Sequence, residues 1–178
     1  MQKSIDEFIQ YLGEVRMMSQ NTISSYRRDL NKLCKFMREK GILEVAQVNE
    51  KSLQEYILFL EENKFANATI SRHIATVKSW FLFLMKEEMV ETDISKHLKA
   101  PKIEKKIPEI LNMDEVEKLL EEPKGNKPKE LRDKAMLELL YATGIRVSEL
   151  ITLSVSQLNM QMNYIVCNDG YKNRIIPF

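Results

Sequence analysis

The sequence predicts a mainly α protein, an N-terminal helical bundle followed by a smaller α+β part that ends in a β-hairpin. Three observations carry this. Apolar residues recur at helical spacing through the first hundred residues, where Gly13 and Gly41 are the only glycines and no proline precedes Pro101. Residues 99–108, Lys-Ala-Pro-Lys-Ile-Glu-Lys-Lys-Ile-Pro, hold prolines that remove backbone donors and disfavour helix in the residue before them, so they read as extended linker. Near the end, apolar runs at 164–167 and 174–178 flank an Asp-Gly turn, a strong hairpin signal.

Each element follows from its own pattern. Ile5, Phe8, Ile9 and Leu12 form the i, i+3, i+4, i+7 stripe of a first helix. Thr22 stands as the N-cap of a second, with Ile23, Tyr26, Leu30, Leu33 and Met37 on one face and Gly41 at its end. Asn49 caps a third, which turns Leu53, Ile57 and Leu60 inward. Asn67-Ala-Thr69 opens a fourth, with Ile70, Ile74, Val77, Phe81 and Leu84 on one stripe and Trp80 beside it. A short helical piece over 93–98 completes a bundle of about five helices.

Beyond the linker, Asn112-Met-Asp-Glu115 is a capping-box-like start with Val116, Leu119 and Leu120 on its apolar face. Pro123, Gly125 and Pro128 make a turn into a long helix over 130–143, ended by Gly144, and 147–153 suits another short helix. Met113 and Met136 read as core fillers, and Tyr141 as packing the long helix. A hairpin alone is marginal without further strands or a covering helix, so the second part looks unfinished. The expected division is a helical domain over 1–98, a basic linker over 99–108 and a second domain over 109–178.

Hydrophobic residues at 44% and charged residues at 30% describe a globular chain and exclude a disordered one. A net charge of +1 does not indicate a globally basic nucleic-acid binder, but the charge is unevenly spread. Residues 1–106 carry 18 Lys+Arg against 15 Asp+Glu, and residues 107–178 carry 9 against 11. Lys96, Lys99, Lys102, Lys105 and Lys106 stand together against the single acid Glu104, a strap that suits a polyanion or a solvated linker alike. Cys34 and Cys167 have neither metal-ligand spacing nor a disulfide framework and read as buried free thiols, which fits the reducing cytoplasm. No run reaches the roughly 18 apolar residues of a membrane span. The N-terminus carries acids where a signal peptide is apolar, so a cytoplasmic protein without membrane association is expected.

One stretch stands out chemically. In Ala142-Thr-Gly-Ile-Arg-Val-Ser-Glu-Leu150, Arg146 follows closely on a helix-ending glycine. An arginine held this way suits a phosphate, because its ordering cost does not fall on binding. Read with Ser19-Gln-Asn-Thr-Ile-Ser-Ser-Tyr-Arg-Arg-Asp-Leu30, the stretch resembles the tyrosine recombinase/phage integrase family, its Xer-type bacterial members most nearly. The 142–150 run matches the family's first catalytic motif without a gap. The N-terminal match is weaker residue by residue but agrees in helix count, linker position and the Arg-Arg-Asp-Leu element.

The resemblance implies a SAM-like core-binding domain over 1–98 and an incomplete α+β catalytic domain, truncated, over 109–178. It implies DNA strand cleavage and rejoining through a covalent phosphotyrosyl intermediate, with no metal or nucleotide cofactor, and two domains clamping the duplex. Arg146 is similar to the first of two family arginines, whose guanidinium meets charge on the non-bridging phosphate oxygens with parallel N–H bonds. Glu149, one helical turn later, either orients Arg146 or answers a local charge. The family's general-acid lysine falls on Asp169, counting back from Arg174-Ile-Ile-Pro177. Lys172 is the only lysine of the hairpin and the candidate for that role; otherwise it is a turn lysine touching DNA backbone or nothing.

The family's His-x-x-Arg, its later His or Trp and its nucleophilic tyrosine have no counterpart here. The histidines are His73 and His97, and Tyr11, Tyr26, Tyr56, Tyr141, Tyr164 and Tyr171 lie outside the nucleophile's context. In the family, the second and fourth helices turn their N-terminal ends toward the major groove and phosphates. That makes Asn21, Thr22, Ser25 and Arg28, and Thr69, Arg72 and Thr76, the DNA-contact candidates, with capping the rival role for Thr22 and Thr69 and ion pairing for Arg28. Lys99, Lys102, Lys105 and Lys106 would cross the duplex as the clamp closes. The implied partners are double-stranded DNA and other recombinase protomers. Three readings follow: a recombinase portion that binds DNA but does not cleave it alone, a naturally shortened regulator competing for recombinase sites, or a helical protein-interaction module.

Overall fold

The computed structural model describes residues 1–103, 107–168 and 173–178. The chain divides into two compact units, Met1–Lys106 and Ile107–Phe178.

The first unit is built from α1 (Gln2–Glu14), α2 (Gln20–Glu39), α3 (Glu50–Glu62) and α4 (Asn67–Lys86), with a 3-10 turn at Val45–Gln47. Helix α2 packs on α1, α3 and α4, and α4 also packs on α1 and α3. The apolar stripes meet in one core where Phe8, Leu30, Leu33, Met37, Tyr56, Trp80 and Phe81 are almost wholly buried. Burying each such side chain is worth about 1.5–3 kcal/mol, which is what holds four helices together. Asn49 caps α3 as expected, its Oδ1 accepting from Ser52 N at 2.9 Å.

Three local expectations are corrected. The N-cap of α2 is Ser19, whose Oγ accepts from Thr22 N at 3.3 Å, so Thr22 already lies in the first turn. Ala66 precedes α4 without a side-chain cap, leaving Thr69 inside the helix. Residues 93–98 form a turn rather than a helix: Asp93 Oδ1 accepts from Ser95 N at 2.9 Å and from Ser95 Oγ at 2.5 Å, a local bond that competes with helical pairing.

The second unit runs α5 (Met113–Glu121), α6 (Pro128–Thr143), α7 (Val147–Thr152), a 3-10 turn at Val155–Gln157, and an antiparallel sheet of β1 (Leu158–Asn159), β2 (Tyr164–Asn168) and β3 (Asn173–Pro177) in that order. Asn112 and Glu115 close the capping box expected for α5. The hairpin pairs Ile165 with Ile176 and Val166 with Ile175, and β1 adds Leu158 opposite Ile165. Two residues are too few to show alternation, which is why β1 left no signal in the sequence.

Ile145, Leu150, Ile165 and Cys167 form a small core, with Met136, Leu139, Leu140, Leu153, Leu158 and Ile176 packed against it. Met113 and Tyr141 do not join it: they are 64% and 56% exposed. Both cysteines are buried free thiols. Among the described residues no helix is long and apolar enough to cross a membrane.

Candidate functional site

In the second unit the candidate site is set by how α6 ends. Gly144 takes φ +60°, a conformation that favours glycine, and its N–H donates to Leu140 O at 2.9 Å. The chain then turns so that Ile145 enters the core and Arg146 becomes the N-cap of α7. Thr143 Oγ1 steadies the turn by accepting from Ile145 N at 3.2 Å.

Glu149 is the organiser of this site. Its side chain is 7% exposed. Its Oε2 accepts from Arg146 N at 2.9 Å and from Arg174 Nη2 at 2.8 Å, while Oε1 accepts from Arg146 Nη1 at 3.2 Å. The Arg146 and Arg174 side chains remain 59% and 45% exposed. Both guanidiniums rest on this one carboxylate and carry planar donors of the kind that suit a phosphate. In the sequence Arg174 carries no site signal of its own. Its partner is 25 residues away and reached through β3, so no local spacing points to it. Asp169, Tyr171 and Lys172 lie outside the described residues, as do Lys105 and Lys106.

In the first unit, Asn21 is exposed and Thr22 half-buried, its Oγ1 2.9 Å from Ser19 Oγ. Ser25 Oγ donates to Asn21 O at 2.8 Å. Arg28 is exposed and pairs with no acid among the described residues; it donates to Ser24 O and Ser25 Oγ, each at 3.3 Å. Thr69 is half-buried. Lys99 and Lys102 are exposed, and the carbonyl of Lys102 accepts from Asn67 Nδ2 at 3.1 Å, tying this strap to the start of α4.

Arg72 and Thr76 meet Asp29 of the Arg-Arg-Asp-Leu element, which no local spacing marks as a site residue. Arg72 Nε donates to Asp29 Oδ2 at 2.8 Å and Arg72 Nη2 to Oδ1 at 2.9 Å. Thr76 is fully buried and gives its hydroxyl to Asp29 Oδ2 at 3.2 Å. As a direct DNA contact Thr76 is therefore corrected: one turn beyond Arg72, it faces α2 rather than solvent. His73 Nε2 lies 3.3 Å from Asp29 Oδ1, and its Nδ1 is 2.9 Å from the Tyr56 hydroxyl. Burial holds the His73 pKa below its usual range against the upward pull of Asp29, with Arg72 and Lys32 adding to the lowering. Burial, and then the Asp29 charge, push the Tyr56 hydroxyl well above its ordinary value. The hydrogen bond to Asp29 raises Arg72 further, so its charge is secure.

Residues 5–88 match the family model for the phage integrase N-terminal SAM-like domain, and residues 109–178 match that of the phage integrase family. Tyrosine recombinase XerD of Oceanobacillus iheyensis is 41% identical over 176 residues, which are 98% of this chain and 59% of that protein. Tyrosine recombinase XerC of Roseiflexus castenholzii is 36% identical over 179 residues, 99% of this chain and 57% of the relative. The fold resembles that of a lambda integrase(75-356) dimer bound to a COC′ core site, with a TM-score of 0.76 at 18% identity, covering 99% of this chain and 62% of the other. The chain thus spans about three fifths of the length of the curated relatives it matches. With both units matched, the chain belongs to the tyrosine recombinase, or phage integrase, family.

Proposed function

We propose that this chain is the DNA-gripping and phosphate-positioning portion of a site-specific tyrosine recombinase. The first unit is the core-binding domain, residues 99–108 are the linker, and the second unit is the front part of the catalytic domain. The observation that carries the reading is Arg146 seated at the N-cap of α7 with its backbone and guanidinium both on Glu149. Attack on a phosphodiester builds negative charge on the non-bridging oxygens, and a guanidinium already oriented by a buried carboxylate meets it without a further ordering cost. Arg174, held by the same carboxylate, adds positive potential there. Lys172 is proposed as the general acid toward the leaving oxygen, a role that asks for a lowered lysine pKa.

Duplex DNA is the proposed partner, contacted by Asn21, Thr22, Ser25, Arg28, Thr69 and Arg72, with Lys99, Lys102, Lys105 and Lys106 along the backbone. Recombinase names among the relatives and the DNA-bound integrase dimer among the structural neighbours support this, and further protomers as partners. Cleavage is proposed to need residues outside this sequence, since His73 and His97 are followed three residues on by Thr76 and Ala100 rather than arginine.

Two measurements test the reading. Duplex binding by this chain, titrated with salt, should fall steeply as salt rises; weak binding indifferent to salt would instead favour a protein-interaction module. In the complete recombinase, Arg146→Ala should lower strand cleavage by roughly 100-fold or more while duplex binding stays near its original strength. Unchanged cleavage would remove Arg146 from the site.

A further inference from the structure

The cluster around Asp29 is built in a way that simple stabilisation does not explain. The Asp29 side chain is 3% exposed, and each of its oxygens has two polar neighbours: Oδ2 takes Arg72 Nε and Thr76 Oγ1, while Oδ1 takes Arg72 Nη2 and faces His73 Nε2. His73 leans on Tyr56, so α2, α3 and α4 all brace one carboxylate. Apolar side chains of the same volume often pack as well as a buried ion pair or better, so a stable bundle does not require this arrangement.

What the cluster does accomplish is to aim a guanidinium. Arginine has two edges that can form a fork, one at Nε and Nη2 and one at Nη1 and Nη2. Asp29 occupies the first edge of Arg72. Nη1 has no hydrogen bond among the described residues, and the side chain is 45% exposed, so the second edge is the one Arg72 can present outward.

We propose that Asp29 is a positioning residue that holds Arg72 so that its Nη1–Nη2 edge meets a phosphate of duplex DNA, with Thr76 and His73 fixing Asp29 in turn. The proposal rests on the reading of the first unit as DNA-binding. It makes a prediction opposite in sign to bulk electrostatics. Asp29→Asn removes a negative charge beside the DNA face, which alone would tighten binding to a polyanion. Loss of aim loosens it.

The test is a duplex titration of the 178-residue chain over a salt series, on mixed-sequence DNA, with thermal melting to confirm folding. Arg72→Ala should weaken binding about tenfold and reduce the slope of log K against log salt by about 0.9, the share of one phosphate. Asp29→Asn should weaken binding most of the way to the same value and add little in the Arg72→Ala background. Tighter binding by Asp29→Asn, or an equal loss with and without Arg72, overturns the proposal. If Asp29→Asn does not melt cooperatively, Thr76→Val decides. A several-fold loss that vanishes in the Arg72→Ala background supports the aim; the same loss in both backgrounds, or none in either, refutes it. An Arg72→Ala chain that binds like the parent with the same steep slope overturns this inference and leaves the DNA reading standing. No salt-dependent binding by the parent removes both.

Discussion

Asp29 and Glu149 perform the same physical task in different units: a nearly buried carboxylate holds arginines whose outer parts stay in solvent. Two of the three arginine pairings are invisible in local sequence. Arg72 is 43 residues from Asp29 and Arg174 is 25 from Glu149, so only the Arg146–Glu149 pair, three residues apart, lay within reach of a spacing argument. His73 makes the Asp29 cluster sensitive to pH in a definite direction. Burial lowers its folded-state pKa, whereas in the unfolded chain the ring takes up a proton near pH 6.5. The unfolded state then binds more protons, so stability is lost as pH falls through about 6.5. We expect the melting temperature to drop between about pH 7 and pH 5.5, and His73→Gln to flatten that segment of the curve. A drop of equal size in the variant would assign it to other groups.

Helices were the legible elements. The stripes of α1, α2 and α4 and the caps at Asn49 and Asn112 depend on residues a turn or less apart, and they appear where periodicity and capping placed them. Misreadings came where two local options compete. Ser19 and Thr22 are both good caps, and Ser19 takes the position because it is the residue left in an extended conformation. Asp93 diverts the backbone into its own side chain and ends any helix there. The junction between α6 and α7 was legible through Gly144, and it yields a clean prediction. An added Cβ there would meet nothing within 4 Å, so Gly144→Ala carries only the backbone penalty of φ +60°. We expect a loss of about 1–2 kcal/mol in chemical denaturation. On the role proposed for Arg146, a matching fall in cleavage by the complete recombinase is expected, since that turn leads directly into Arg146.

The two units differ in what holds them. The first buries a continuous core rich in Leu, Ile and Phe around Trp80, while the second, among its described residues, buries four apolar side chains and exposes Ile107, Ile110, Met113, Val155 and Ile175. Apolar burial is the main favourable term in folding, so residues 1–106 made alone should keep a helical circular-dichroism spectrum and melt cooperatively. Residues 107–178 alone should melt broadly and bind a hydrophobic dye; a sharp transition from that piece would contradict the comparison. Apolar spacing, caps and breakers settled the mainly α class, the order of the helices and the hairpin, because each rests on neighbours a few positions apart. Which carboxylate holds which arginine was settled by α2 meeting α4 at Asp29 and Arg72, and by α7 meeting β3 at Glu149 and Arg174. Those pairings depend on packing that brings distant segments within about 3 Å, and no local pattern in the chain encodes that distance.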